Sequence, residues 1–254
     1  MTGKHVVVTG AGTGIGRAIA QRAARDGAAV TLVARSEGRL RETAAGLDGP
    51  VHLAPCDIRK RSAVDRTFAR AAGALGPIHA LVAVSGIGGP NGEDDEGGDR
   101  FDDIVATNLS GTYYCARAAL RHLAPGPDPR HVVVLSSILA RIAVPGYTGY
   151  SASKAGLLGL VRSFAAELAP LGIQVNAICP GWVDTEMAWT GLDAAARATG
   201  STREEAYRDA MLLVPTGRMG RPEDIAGTVA WLLSPDARGM VGQAIDQNGG
   251  AWMG

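Results

Sequence analysis

Apolar, β-branched runs of four to seven residues recur along the chain, separated by longer stretches whose apolar positions repeat every three or four residues. The runs at 5–9, 29–34, 51–54, 78–84, 131–136, 173–178 and 241–246 predict strands. The stretches at 15–25, 37–45, 61–74, 100–122, 150–169 and 222–233 predict helices. Strict alternation of this kind builds a parallel sheet with helices on both faces, so the expected fold is a single doubly wound, Rossmann-type α/β domain over 1–254 with seven strands. No linker rich in proline, serine or charge divides the chain, and no internal repeat is visible. Two stretches break the rhythm: 88–99, rich in glycine and acid, and 186–215, after the sixth strand. Ligands in open α/β sheets bind beyond the carboxyl ends of the strands, where both would lie, so each is a candidate lid or substrate loop. The first reads equally as a solvated surface loop.

Composition narrows the partners. The 254 residues carry a formal charge of zero, which favours neither nucleic acid nor an anionic membrane and leaves a small molecule as the expected ligand. The N-terminus enters an apolar strand directly, and no stretch is long enough to span a bilayer, so a cytoplasmic location is expected. Cys56, Cys115 and Cys179 lie far apart, and the five histidines are scattered without ligand spacing. The reading is buried thiols and no metal.

The first strand runs into Thr9-Gly10-Ala11-Gly12-Thr13-Gly14-Ile15-Gly16 and then an alanine-rich helix. Glycines let the backbone approach a diphosphate, and free amides at the helix start favour its charge. The spacing Gly10, Gly14, Gly16 differs from the usual dinucleotide fingerprint, but the strand-turn-helix context is right. The second strand ends Val33-Ala34-Arg35-Ser36, with no carboxylate to bind a ribose 2′-hydroxyl. Arg35 suits the 2′-phosphate of NADP, so NADP(H) is the preferred cofactor; Arg35 as a plain surface residue leaves NAD(H) open. Asp57, past the third strand, either meets the adenine edge or caps the next turn.

Tyr150 and Lys154 stand four residues apart, with Ser137 thirteen residues before Tyr150. On a helix that spacing puts phenol and ammonium on one face, where the cation can lower a phenol pKa from about 10 and make it a usable proton donor and acceptor. Ser137 would hold a substrate oxygen against Tyr150.

With Thr9-Gly10, Gly14 and Gly16, Asn108 in Thr107-Asn108-Leu109-Ser110-Gly111, Ser137, Tyr150, Lys154 and Pro180-Gly181 in this order and spacing, the chain resembles the short-chain dehydrogenase/reductase family over nearly its full length. The resemblance implies that Tyr150 is the general acid/base and that Ser137 orients the carbonyl or hydroxyl. Lys154 would bind the nicotinamide ribose and depress the Tyr150 pKa, and Asn108 would hold a water in a proton relay. It places Gly10, Thr13, Gly14, Ile15, Gly16, Gly86, Pro180, Gly181, Val183 and Thr185 around the cofactor, with Val183 and Thr185 at the carboxamide and diphosphate. One motif departs from the family: Ala83-Val84-Ser85-Gly86 replaces Asn-Asn-Ala-Gly, and the lost hydrogen bonds must be supplied otherwise, one of them by Ser85.

The 186–215 segment, the Val214-Pro215-Thr216-Gly217-Arg218 exit and Gly242-Gln243-Ala244-Ile245 resemble 3-oxoacyl thioester reductases and aromatic polyketide ketoreductases. The implied activity is NADP(H)-dependent reduction of a ketone, free or bound to CoA or a carrier. The alternatives are an NAD-dependent alcohol or 3-hydroxyacyl dehydrogenase and a nucleotide-binding scaffold without turnover. Arg141 is either a contact for a phosphopantetheine phosphate or substrate acid, or a structural residue; Trp182, Met187 and Trp189 are either pocket or core. The resemblance also implies a homotetramer built on the 100–122 and 150–169 helices and the last strand. Leu157, Leu158, Leu160, Val161 and Phe164 add apolar surface beyond one core stripe.

Overall fold

The β-branched runs become β1 (His5–Thr9), β2 (Ala29–Ala34), β3 (Val51–Pro55), β4 (Ala80–Ala83), β5 (Arg130–Leu135), β6 (Ile173–Pro180) and β7 (Ala244–Gln247). The coordinates are a computed structural model describing residues 1–92, 98–126 and 128–254. All pairings are parallel, in the order β3-β2-β1-β4-β5-β6-β7. After β3 the chain returns across β1 to place β4 on its other side. That reversal opens a crevice at the carboxyl ends of β1 and β4, where open α/β sheets bind ligands.

Both faces of the sheet are covered, as continuous apolar strands require. Val7, Leu81, Val132 and Val175 point to one face, packed by Phe68 of α3 (Arg61–Leu75), Cys115 and Ala119 of α5 (Gly111–Leu120), and Leu157 and Val161 of α6 (Thr148–Leu168). Val6, Val8, Leu32, Val82 and Ile178 point to the other, under Ile19 of α1 (Gly14–Arg25) and Ile225 and Val229 of α9 (Pro222–Leu232). The short α2 (Glu37–Ala44) follows β2 and buries Leu40.

Four expectations change. The fourth strand is shorter than 78–84: Ile78 makes only an isolated bridge to Leu123, and the amide of Val84 turns to the Thr9 hydroxyl. The last strand starts at Ala244 because Gly242 takes a left-handed φ of +71°, which a strand does not accommodate. The helix expected over 100–122 is α4 (Phe101–Val105) joined to α5 through a π-helical turn, Ala106–Ser110, that contains Asn108. The 186–215 stretch is not an open loop. It forms α7 (Glu186–Thr199) and α8 (Arg203–Leu212), which close a small core of Leu192, Ala196, Ala206, Met211, Val214 and Met219.

The apolar excess on α6 is also explained within the chain. Leu157, Leu158, Val161 and Phe164 are all buried, and Phe164 stacks on Tyr113 with ring centroids 5.9 Å apart. Only Leu160 of that set remains partly open. Of the candidate lid at 88–99, residues 93–97 lie outside the described residues. No helix among the described residues is long and apolar enough to cross a membrane, and no group of His, Cys, Asp or Glu among them is arranged to hold a metal ion.

Candidate active site

At the end of β1 the chain turns through Gly10 (φ +69°) and Gly14 (φ +49°), backbone states that favour glycine. A Cβ on Gly16 would sit 2.1 Å from the Gly10 carbonyl oxygen, and one on Gly10 would sit 2.9 Å from the Ser85 amide nitrogen. Thr13 is the extended N-cap of α1 and its side chain makes no cap bond, so the first amides of the helix, those of Gly14, Ile15 and Gly16, are left for a ligand. The turn lines a groove of about 650 Å³ that continues past Ala34, Arg35 and Ser36 to Asp57, Gly86 and Thr107. Its size and its side-chain-free cradle fit a dinucleotide diphosphate.

Arg35 is exposed on the groove wall, close enough to Asp57 to help lower that carboxyl's pKa. The main cause of that lowering is Arg59, whose guanidinium donates to both Asp57 oxygens at 3.1 and 2.8 Å. Asp57 also accepts the Arg59 amide at 3.1 Å, so it caps the following turn while lining the groove. Sequence reasoning missed Arg39. It sits in the first turn of α2, lines the same groove as Arg35, and donates to Glu186 of α7 at 3.3 Å. Its place in the first turn of the helix that follows β2, directly after Arg35 and Ser36, was the available signal.

The family's missing asparagines are replaced by a different device. The Thr9 hydroxyl accepts the amides of Val84 and Ser85 at 3.1 and 3.2 Å, so Thr9, not the Ser85 hydroxyl, ties the end of β4 to β1. Beyond it, fully buried Asn108 accepts the Ile87 amide at 2.8 Å and donates to the Ile87 carbonyl and the Ser153 hydroxyl at 3.0 and 3.1 Å. Both amide hydrogens of Asn108 are thereby used on the protein. A Cβ on Gly86 would approach Asn108 Oδ1 at 3.2 Å and Lys154 Nζ at 3.6 Å, so these three residues adjoin.

Ser137 ends the β5 segment as the N-cap of a 3₁₀ turn, Ile138–Ala140, its hydroxyl accepting the Leu139 amide at 3.2 Å. Tyr150 and Lys154 both lie on α6. Burial pushes the Tyr150 phenol up, and a side-chain hydrogen bond with Ser137 pulls it back down. Lys154 is 4% exposed; it donates to the Leu135 carbonyl at 2.8 Å and is pushed down to about 8 by burial. Its ammonium lies 5.5 Å from the Tyr150 ring centroid. The phenol is therefore raised by desolvation and pulled back by the Ser137 side chain, rather than already lowered by the lysine as the spacing alone suggested.

Gly181 approaches Asn248 so closely that a Cβ would lie 2.9 Å from the Asn248 Cα. From there Pro180-Gly181 leads to Val183, buried and bridged to Gly220, and to Thr185, which caps α7 by accepting the Ala188 amide. Thr185 covers the glycine turn: a Cβ on Gly14 would meet its methyl at 3.0 Å. Trp182 and Trp189 pack against the small core under α7 and α8, and Trp189 stacks on Tyr207 at 5.7 Å. Met187 is instead exposed and faces Gly88, where a Cβ would meet its sulfur at 2.9 Å. Arg141 turns inward to Asp246 rather than out to solvent.

A fold and site of this kind define a dinucleotide-binding oxidoreductase scaffold, and comparison with known proteins narrows the class. The sequence family described as enoyl-(acyl carrier protein) reductase matches residues 10–251. The short-chain reductase protein NovJ of Streptomyces niveus is 36% identical over 96% of this chain and 92% of its own. The 3-oxoacyl-[acyl-carrier-protein] reductase MabA of Mycobacterium tuberculosis is 32% identical over 99% of this chain and 94% of its own. A crystal structure of an actinorhodin polyketide ketoreductase variant with NADPH superposes with a TM-score of 0.88 at 32% identity, covering 98% of this chain and 97% of that one. The chain belongs to the short-chain dehydrogenase/reductase family and is an oxidoreductase of the CH–OH/C=O pair.

Proposed function

We propose that this enzyme is an NADP(H)-dependent ketoreductase acting on a ketone of the 3-oxoacyl thioester or polyketide type, with Tyr150 as general acid. The observation that carries the reading is the convergence of Ser137, Tyr150 and Lys154: the Ser137 side chain pulls the Tyr150 phenol down, and the Lys154 ammonium, 5.5 Å from the Tyr150 ring centroid, adjoins Gly86 on the groove wall. Gly10, Thr13, Gly14, Ile15 and Gly16 hold the diphosphate; Arg35, with Ser36 and Arg39, meets the 2′-phosphate; Asp57 borders the adenine end. Gly86, Pro180, Gly181, Val183 and Thr185 enclose the nicotinamide half. The bound dinucleotide supplies the hydride. Tyr150 gives its proton to the carbonyl oxygen as negative charge develops there, and Ser137 holds that oxygen in line. Lys154, with a value near 8, is largely charged at pH 7, where it binds the nicotinamide ribose and stabilises the phenolate left behind. Asn108 fixes the Ile87 backbone and Ser153 beside it, and with both amide hydrogens spent there it meets a relay water through the second lone pair of its side-chain oxygen.

Support for the cofactor comes from Arg35 just past the end of β2, where Val33-Ala34-Arg35-Ser36 carries no carboxylate, and from the NADPH in the actinorhodin ketoreductase structure. Support for the substrate class comes from the names of the relatives. The family resemblance, rather than the α6 apolar residues buried within the chain, supports a homotetramer through the helices of residues 100–122, α6 and β7, which light scattering at micromolar concentration checks. The function is tested by titrating the protein with NADPH and NADH while following nicotinamide fluorescence, then assaying acetoacetyl-CoA reduction. Tighter NADPH binding and turnover support it. Tighter NADH binding with oxidation of 3-hydroxybutyryl-CoA gives the NAD-dependent hydroxyacyl dehydrogenase instead.

A further inference from the structure

Arg141 has no assigned role, and its surroundings give it one. It ends the 3₁₀ turn that Ser137 begins, its amide donating to the Ile138 carbonyl at 2.8 Å. Its guanidinium leaves that turn and crosses to β7, where Nε and Nη2 each reach an Asp246 carboxylate oxygen at 3.3 Å and Nη2 reaches the Ala244 carbonyl at 3.5 Å. Both partners are mostly covered, with side chains 24% and 20% exposed. The Trp252 ring lies against the guanidinium, 5.0 Å from centroid to Cζ. Trp252 is held in turn by Asn248, whose oxygen accepts the Gly250 and Trp252 amides and whose amide donates to the Trp252 carbonyl. In the sheet Asp246 is the register partner of Cys179 on β6, the strand that pairs with β5 just before Ser137. The turn that carries Ser137 is thus fastened to β7 at its Arg141 end.

We infer that Arg141 is a positioning residue for the reaction: by pairing with Asp246 and stacking on Trp252 it locks the 138–141 turn and so holds the Ser137 hydroxyl against Tyr150. The inference rests on the ketoreductase reading of Ser137 and Tyr150. A planar fork gripping a carboxylate and lying flat on an aromatic ring fixes a turn far better than a lysine would, since a lysine lacks both the fork and the flat face. Ser137 pulls the Tyr150 pKa down, so a slack turn releases that pull and lets the phenol rise further. In reduction the protonated phenol is the active form. Loosening the turn therefore lowers kcat while moving the alkaline limb of its pH profile to higher pH.

The experiment measures acetoacetyl-CoA reduction by NADPH across pH for Arg141→Ala, Arg141→Lys and Asp246→Asn, with Ser137→Ala as reference and with melting temperature and NADPH affinity recorded for each. The expected result is a fall in kcat of about tenfold for Arg141→Ala, with a smaller fall for Arg141→Lys, NADPH affinity within about twofold of the parent, and the alkaline limb shifted upward. Asp246→Asn keeps the volume of the side chain and reports the same effect should Arg141→Ala fail to fold. If Ser137→Ala is impaired while the Arg141 and Asp246 variants keep the parent's kcat and pH limb, the positioning role is overturned and the ketoreductase reading stands. Parent-like turnover in Ser137→Ala overturns both.

Discussion

The two ends of the sheet bury ionisable groups in opposite ways. At the amino ends of neighbouring β1, β4 and β5, His5 on β1, His79 just before β4 and His131 on β5 gather. The His5 ring bonds the Thr31 hydroxyl and the Gly76 carbonyl, each at 2.8 Å, and its amide donates to His79 Nδ1 at 3.0 Å. Burial lowers all three, His131 to about 4. At the carboxyl ends, burial likewise pushes Tyr150 and Lys154 toward their neutral forms. Desolvation is the leading cause at both ends, so a displaced pKa does not by itself mark a site. What separates them is the groove: Gly86, which touches Lys154, lines a cavity large enough for a dinucleotide, whereas the His5 ring spends both nitrogens on its own chain.

If the carboxyl end is the reactive one, Tyr150→Phe lowers turnover by about a hundredfold or more while NADPH binding stays near the parent value, because only proton transfer is removed. Steady-state kinetics beside a fluorescence titration checks this, and unchanged turnover removes Tyr150 from the chemistry. Arg35→Asp tests the groove wall. Replacing a charge-assisted contact with a like charge should swing the NADPH-to-NADH preference by about ten- to a hundredfold, and an unaltered ratio means the 2′-phosphate is met elsewhere.

The amino end answers to acid instead. His131 titrates at 6.5 when unfolded and at about 4 when folded. Between those values the unfolded chain holds a proton the native state lacks, so its contribution is intact above 6.5 and declines as pH falls toward 4, by about 1.4 kcal/mol per pH unit at most. Urea unfolding at pH 7 and pH 5 should show the loss, and His131→Val should flatten it; a slope equally steep in the variant places the acid sensitivity elsewhere. Smallest of all, Glu186→Gln cuts the exposed pair with Arg39 and should change stability by less than about 1 kcal/mol, as thermal melting would register.

The first two strands could be read from the β-branched runs because they are buried almost throughout and end close to Gly10 and the Ser36 helix cap, whereas β3, at the sheet edge, is mostly half-buried. The helices α7 and α8 were signalled too, by Thr185 and Thr202 as N-caps, the capping box of Thr202 with Glu205, and left-handed Gly200 between them. Their apolar residues serve a separate small core, so the segment lacked the rhythm of the main sheet. Ser137, Tyr150 and Lys154 were readable because one helix and one strand end set their spacing. The inward turn of Arg141 was not, because Asp246 and Trp252 are more than a hundred residues away and no local pattern joins them. The histidines failed for the same reason: scattered in sequence, they meet only through strand order.

That strand order also sets a timetable. β1, β2 and β3 can pair among themselves as they leave the ribosome, but the other edge of β1 waits for β4, about seventy residues later. At synthesis rates of 5–20 residues per second that edge stays open for roughly 4 to 14 s. The nucleotide groove needs Ser85 and Gly86 from beyond β4, so it forms only after the edge has closed. Bound cofactor can therefore stabilise the finished enzyme but cannot shield the nascent β1 edge, and during that interval protection against wrong pairing must come from the early helices α1 to α3 or from chaperones.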